Sequence, residues 1–423
     1  MDKKVSGILA GSVTPPPSKS QAHRLLICAA LGTTRSKVAC DSLNDDLRAT
    51  MDSLNALGAS IVYADGGFDV IPVVCRKGGE LPCGESGSTL RFLLPIAAAL
   101  GADSTFTGKG KLPQRPMQPL CEALTAHGVE IIEHTVDAHI PLTCKGQLTG
   151  GEYSLAGDIS SQYFTGLLFA LPLLSSPSNL NIIGELTSAS YVGMTLDALR
   201  LSGVTVEQRQ GGFYIPAPQR YKVPAHMRVE GDWSAAAFWL VAGVIGRNPV
   251  TVCGMNINSL QGDRRIVDHL RCMGGDIRFV GDKITAYPSQ LHAAELDCVD
   301  TPDLVPILSV AAAVAHGTTL FTHVGRLRYK ESDRLAAMQT LLHSFGISSE
   351  IGEDTYAVTG GDAVVTAAVD SFGDHRIAMS AAILSTVACG ETFIKGAECV
   401  AKSYPFFFED FTALGGNVDN IIL

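Results

Sequence analysis

The hydrophobic positions of this chain fall into one pattern written six times. An amphipathic helical stretch runs into a glycine and a β-type run follows: MDSLNALGASIVY, LCEALTAHGVEII, TLDALRLSGVTVE, IVDHLRCMGGDIRFV, AMQTLLHSFGISSEI and FEDFTALGGNVDNI. The pivot glycines are Gly58, Gly128, Gly203, Gly274, Gly346 and Gly415, and successive gaps run from 69 residues (Gly346 to Gly415) to 75 residues (Gly128 to Gly203). Glycine at such a place closes a helix with the positive φ that other residues avoid. One match of this kind is common in any α/β protein. Six at nearly constant spacing mark an internal repeat.

Upstream in each unit lies a second helical stretch, apolar nearly all round: SKSQAHRLLICAALG, ESGSTLRFLLPIAAALG, SSQYFTGLLFALPLL, GDWSAAAFWLVAGVIG, TPDLVPILSVAAAVAHG and GDHRIAMSAAILSTVACG. Helices of that kind belong at a domain centre. Short runs such as DSTFTG, NLNII, PVTVCG and TTLFTHV follow them and read as strands. The unit is therefore roughly β-α-β-α-β-β, and six units divide into two domains of three; if the buried helices of a domain run parallel, their starts open on one face. The segment IPAPQRYKVPAHM (215–227) carries three prolines between the third and fourth units and reads as a linker. A strand near VSGILAGSV is expected to pair with the second domain. The expected division is 15–222 for one domain and 1–14 with 223–423 for the other.

Composition narrows the class of partner. With 423 residues, 46% hydrophobic, 17% charged and a net charge of −10, the chain is globular and its field disfavours nucleic acid and anionic membrane. An anionic ligand then needs cations gathered locally. Eleven cysteines without a CxxC pair point to reduced thiols in a cytoplasmic protein and away from a zinc site. No apolar run approaches the ~20 residues of a membrane span, and MDKKVSGILAGSV is too short in apolar residues for a signal peptide.

The candidate chemistry sits at the starts of the buried helices: Lys19 and Ser20; Gly87 and Ser88; Ser160, Ser161 and Gln162; Asp232; Asp303; Asp374, His375 and Arg376. Helix N-termini carry free N–H groups and about half a positive charge each, so together they suit an anion. Lys19 and Arg24 add cations where the dipole is already positive, which a bound phosphate or carboxylate would offset. Caps at Ser18 and Ser20 with solvated cations explain that stretch as well. Arg115 lies among prolines in KGKLPQRPMQP. Arg326, Arg328, Lys330, Glu331, Asp333 and Arg334 crowd HVGRLRYKESDRLAAM, and Lys402 lies in VAKSYPFFFED. The plainer readings are a surface arginine, an exposed helix start capped by Ser332, a loop lysine, and an Asp374 cap with two exposed neighbours. Asp303 and Glu331 read either as caps or as acid/base groups.

Taken together, PSKSxxxR (17–24), GxSGSTLRF around Gly87, QRPMxP (114–119), SSQ (160–162), RxKESDR (328–334), GDHRxAM (373–379) and KSYP from Lys402 resemble the 5-enolpyruvylshikimate-3-phosphate synthase family, in order along the whole chain. The resemblance implies the enolpyruvyl transferase fold, an inside-out α/β barrel of two domains. It implies transfer of the enolpyruvyl group of phosphoenolpyruvate to the 5-hydroxyl of shikimate 3-phosphate, with no metal or organic cofactor, in a cytoplasmic monomer of the shikimate pathway. The active site would lie in the cleft between the domains, and glyphosate would compete for it. Shikimate 3-phosphate would be held by Lys19, Ser20, Arg24, Ser160, Ser161, Gln162, Ser188, Tyr191, Asp303 and Lys330. Phosphoenolpyruvate would be held by Lys19, Gly87, Arg115, Gln162, Arg334, Arg376 and Lys402. Asp303 would take the proton of the 5-hydroxyl, Glu331 would give one to the methylene carbon with Lys19 assisting, and His375 would sit near the reacting centre. Two positions depart from the family pattern, Glu85 and Arg326, where many members have Asn. The sister enzyme acting on UDP-N-acetylglucosamine typically has a cysteine on the loop before the arginine and asparagine after the first lysine. This chain has GKGKLPQRP and Ser20 there. A non-catalytic anion-binding scaffold would not need Lys19, Asp303, Glu331 and Lys402 together.

Overall fold

All six pivot glycines have positive φ, from 69° at Gly203 to 108° at Gly58. Each ends a helix and turns the chain into a strand, so the repeat seen in the hydrophobic pattern is a repeat of backbone conformation. The computed structural model describes residues 1–361 and 364–421. It contains six four-stranded sheets. The third shows the common plan. Strand Glu152–Ala156 runs into helix Ser161–Ala170, then strand Ser178–Ile183, helix Ala189–Leu201, and the hairpin Glu207–Arg209 with Gly212–Ile215. The first two strands pair in parallel and the hairpin adds antiparallel strands.

The chain divides into two units, residues 19–229 and residues 1–18 with 230–423. In each unit three helices are almost wholly inside. Helix Gly87–Leu100 buries every residue but Ser88, and helix His375–Ser385 buries all 11. Fully burying one large apolar side chain contributes roughly 1.5–3 kcal/mol, and these helices supply more than a third of each core. Glycine sets one close approach. A Cβ on Gly166 of helix Ser161–Ala170 would lie 2.2 Å from the carbonyl oxygen of Arg91, so this helix can touch the backbone of helix Gly87–Leu100.

Both units close their sheets with a strand distant in sequence. Strand His226–Arg228 pairs in parallel with Ser36–Ala39, completing the first sheet from the far end of the 19–229 unit. Strand Asp2–Gly7 lies between Thr392–Lys395 and Gly416–Ile421, antiparallel to both. Strand Gly11–Val13 pairs in parallel with Val250–Val252.

The proline-rich segment 215–227 is not a linker. Tyr221 is fully buried and donates its hydroxyl to the Phe169 carbonyl at 2.7 Å, and His226–Arg228 is a strand of the first sheet. The second crossing therefore falls after Val229, seven residues beyond the expected 222. The first falls after Ser18 instead of residue 14. Ser18 N–H donates to the Glu230 carbonyl at 2.8 Å and Asp232 N–H to that of Pro16 at 2.9 Å, which ties residues 16–18 to the 230–423 segment.

Candidate active site

In the 19–229 unit several candidate side chains stand on the first turns of the buried helices. Helix Lys19–Ala30 starts with Lys19, whose Nζ donates to Asp46 Oδ2 at 2.9 Å. One turn on, Arg24 is 2% exposed. Its Nε donates to Thr195 Oγ1 at 2.9 Å, and its two terminal nitrogens donate to the carbonyls of Ser20 at 2.6 Å and Tyr191 at 2.8 Å. Burial lowers its pKa from 12.5 to about 10, and all three of these acceptors are neutral. Arg24 is thus fixed in direction while its charge stays uncompensated by them. Ser188 precedes helix Ala189–Leu201 with φ 54° and ψ 41°, a left-handed conformation costly for a serine.

Helix Gly87–Leu100 is capped by Ser86, which accepts Thr89 N–H. The glycine that follows has a direct neighbour: a Cβ at Gly87 would lie 2.9 Å from a terminal nitrogen of Arg115. The Arg115 guanidinium therefore lies against a backbone that has no side chain to hold it off. Arg115 is 7% exposed, which rules out the surface-arginine reading. Ser160 caps helix Ser161–Ala170 by accepting Gln162 N–H at 3.3 Å, and Ser161 is buried. The Gln162 side chain accepts from Arg91 at 2.7 Å and donates to Ser88 Oγ at 3.1 Å. Arg91 also donates to the Pro116 carbonyl at 2.8 Å, as does the Tyr163 hydroxyl at 2.6 Å. One buried arginine thus connects Gln162 to the loop that carries Arg115.

In the other unit Arg334 organises the cluster. It is 2% exposed and donates to Asp374 Oδ2 at 2.8 Å, Asp303 Oδ1 at 2.7 Å and Glu331 Oε2 at 2.7 Å. Burial works against its charge, but Asp374, Glu331 and Asp303 together raise its pKa further. Asp303 also accepts from Lys330 at 3.4 Å and, through Oδ2, from Arg376 at 3.2 Å; the other Arg376 nitrogen takes the Asp303 carbonyl at 2.9 Å. Asp303 lies in the 3-10 turn Pro302–Leu304 before helix Val305–Val314, and its carboxylate goes to three cations instead of capping that helix. A quarter of the Lys330 side chain is exposed. Desolvation of its ammonium group, with Arg334 nearby, brings its pKa from 10.5 to about 8 against the pull of Asp303.

Asp374 does cap helix His375–Ser385, accepting Arg376 N–H at 3.0 Å, but its neighbours are not exposed: His375 is 2% and Arg376 6% accessible. Burial pushes the Asp374 pKa up, and Arg334 and His375 bring it below the ordinary value. Ser332 is not the cap of the next helix. Asp333 caps Arg334–Ser344 through Ala336 N–H, and Ser332 donates to Asp374 at 3.1 Å. Lys402 ends the 3-10 segment Ala397–Lys402 and donates to the Gly373 carbonyl at 2.7 Å. Arg326 donates to the Val299 carbonyl, and Glu85 stands beside Gly110.

Sequence reasoning gave Asp46, Arg91 and Thr195 no role, and saw Asp374 as a helix-start residue without its partner Arg334. Each acts through a partner 27 to 171 positions away, beyond the reach of local spacing. Among the described residues no group of three or more His, Cys, Asp or Glu side chains is arranged to hold a metal ion, and no helix is long and apolar enough to cross a membrane.

Residues 4–411 match the family model described as EPSP synthase (3-phosphoshikimate 1-carboxyvinyltransferase). The chain is 42% identical over 414 residues to the 3-phosphoshikimate 1-carboxyvinyltransferase of Clostridium kluyveri, covering 97% of this chain and 96% of that one. It is 40% identical over 417 residues to that of Clostridium acetobutylicum, covering 97% and 96%. Its fold is similar to the EPSP synthase of Acinetobacter baumannii, with a TM-score of 0.82 at 26% identity, over 99% of this chain and 100% of that one. The fold likeness extends to the enolpyruvyl transferase NikO from Streptomyces tendae, with a TM-score of 0.78 at 18% identity, over 99% and 98%. With the βαβαββ repeat and the helix-start residues in place, these matches over nearly the whole chain make it a member of the EPSP synthase family of carboxyvinyl transferases.

Proposed function

We propose that this chain transfers the enolpyruvyl group of phosphoenolpyruvate to the 5-hydroxyl of shikimate 3-phosphate, giving 5-enolpyruvylshikimate 3-phosphate and phosphate. The observation that carries the reading is Asp303: a carboxylate among Arg334, Lys330 and Arg376, at a helix start it does not cap. Such a group is available as a proton acceptor, and the cations around it suit anionic substrates.

Shikimate 3-phosphate is assigned to Ser20, Arg24, Ser160, Ser161, Ser188, Tyr191, Asp303 and Lys330. Phosphoenolpyruvate is assigned to Gly87, Arg115, Arg334, Arg376 and Lys402, and Lys19 and Gln162 serve both. Protonation of the methylene carbon by Glu331, with Lys19 assisting, gives C2 positive character. The 5-oxygen attacks C2 and its proton passes to Asp303. The tetrahedral adduct then loses phosphate from C2 and a proton from the methyl carbon, which restores the alkene. His375 lies close to this chemistry. Arginines and helix N-termini offset the repulsion between the two anions. The enzyme works as a monomer in the cytoplasm.

The test is phosphate release from the purified chain. Release only when both substrates are present is expected. Release from phosphoenolpyruvate alone, or none with both, rules the reading out. In the same assay Asp303→Ala is expected to lower kcat by about 10²–10⁴-fold, the range for a general base. An unchanged kcat removes Asp303 from the role.

A further inference from the structure

A string of four polar side chains in the 19–229 unit has no place in the chemistry above. His23, Thr50, Ser86 and Thr89 are each fully buried. They belong to helices Lys19–Ala30, Asp45–Ala56 and Gly87–Leu100 and to the cap of the last. His23 Nδ1 lies 2.7 Å from Thr50 Oγ1, which in turn lies 2.7 Å from Thr89 Oγ1. The Thr89 hydroxyl donates to Ser86 Oγ at 2.8 Å, with the Asp46 carbonyl a more distant acceptor at 3.5 Å. The same Ser86 oxygen accepts Thr89 N–H at 3.1 Å. Polar groups this deep are costly unless they satisfy one another.

Counting protons gives the string a direction. A threonine hydroxyl has one proton to donate. Thr89 gives its proton to Ser86, so Thr50 gives its own to Thr89, and the contact with Thr50 requires His23 to carry Nδ1–H. Nε2 is then a bare acceptor, and it is buried with no hydrogen-bond partner among the described residues. The other tautomer would need two protons from Thr50. Burial, and then the charges of Lys19 and Arg24, hold the His23 pKa well below the ordinary histidine value, so the ring stays neutral. All donors therefore point one way, from helix Lys19–Ala30 to the cap of helix Gly87–Leu100.

Both ends adjoin candidate residues. His23 precedes Arg24, and both stand by Phe92. The His23 ring meets it edge-on with centroids 6.4 Å apart, and the Arg24 guanidinium is 5.3 Å from its centroid. At the other end Gly87 lies between Ser86 and Thr89, with its backbone against the Arg115 guanidinium. We propose that His23, Thr50 and Thr89 are positioning residues that fix the Ser86–Gly87 turn against Arg115, and so set the affinity for phosphoenolpyruvate. The proposal rests on the assignment of Gly87 and Arg115 to that substrate. The string makes and breaks no bond; it acts through the backbone it holds.

The experiment measures kcat, both KM values and the urea midpoint for the full chain, Thr50→Val, Thr89→Val, the double variant, Thr50→Ser and Thr89→Ser. Valine keeps the shape and removes the hydroxyl, whereas serine keeps the hydroxyl. Each valine variant is expected to raise the KM for phosphoenolpyruvate about three- to tenfold, the scale of one hydrogen bond, and to change that for shikimate 3-phosphate less. The serine variants are expected to keep native values. The double variant is expected to match Thr89→Val, because a string already cut there carries nothing from Thr50. A native KM in folded valine variants overturns the proposal, even with a lowered urea midpoint, which is all that a purely structural role produces. Serine variants that share the loss, or losses that multiply in the double variant, overturn it too. If Thr89→Val does not fold, Thr50→Val against Thr50→Ser decides alone. Arg115→Ala run in parallel separates the two ideas. A native KM for phosphoenolpyruvate there removes the assignment of Arg115, whereas a rise there with native valine variants removes only the string.

Discussion

Lys330 shows how one side chain couples substrate binding to pH. Its ammonium is deprotonated from about pH 8 because desolvation outweighs the attraction of Asp303. Since it is assigned to shikimate 3-phosphate, kcat/KM for that substrate is expected to fall as pH rises through about 8, and Lys330→Gln to lack that alkaline limb. The loss is not unfolding. The unfolded chain holds this proton up to about 10.5 and the folded chain only to about 8. Between those values the unfolded state binds more protons, so this group makes the fold more stable as pH rises. Circular dichroism across the same range checks the distinction; an activity loss that tracks loss of ellipticity would contradict it. At this scale the sequence showed which residue types gather, because motifs such as RxKESDR put Lys330, Glu331 and Arg334 within five positions. It did not show their partners. Arg334 is a helix-start arginine in sequence, but in the fold it is buried among three carboxylates, two of them more than 30 positions away.

Among the elements, the contact between helices Gly87–Leu100 and Ser161–Ala170 positions Gln162. Gly166 lies one turn after Gln162 on the same helix face, and its missing Cβ allows the approach that brings Gln162 to Arg91 and Ser88. Gly166→Ala would push a methyl group into the Arg91 carbonyl, a backbone atom that cannot rotate away. The expected cost is about 1–3 kcal/mol, typical of overpacking, with a higher KM for both substrates if Gln162 serves both as proposed. Urea denaturation and steady-state kinetics measure the two effects, and a variant with native stability would show that the helices separate at no cost. Helices were legible from their periodicity and the pivot glycines from their spacing. Gly166 was not, since nothing in SSQYFTGLLFALPLL says which backbone will face it. Asp303 was ambiguous for a related reason: a capping carboxylate and one that turns to three cations look alike until the side-chain direction is known.

For the molecule as a whole, the six-unit plan was legible because the repeat recurs in both halves of the chain. Its boundaries were not. Prolines at 216, 218 and 224 stiffen a loop as readily as a linker, and only the pairing of His226–Arg228 with Ser36–Ala39 shows which one this is. The division has a mechanical test. Deleting residues 1–14 removes strand Asp2–Gly7 from between Thr392–Lys395 and Gly416–Ile421, and removes buried Val5, Leu9 and Val13 from the core. The truncated chain is expected to yield, on limited proteolysis, a resistant fragment near residues 19–229 while 230–423 is degraded; equal resistance of both would show that the strand is dispensable. The same strand sets a schedule for synthesis. Lys3 is made 417 positions ahead of its partner Asn420. At about 5–20 residues per second this is a delay of roughly 20–80 s. Residues 19–229 can finish folding within that time, while strand Asp2–Gly7 stays unpaired outside the ribosome. Its edge could join a neighbouring nascent chain, and Lys3 and Lys4 are charges of the kind that discourage such pairing. Exchange of this strand between copies made on one messenger RNA is the characteristic error that such a chain order invites.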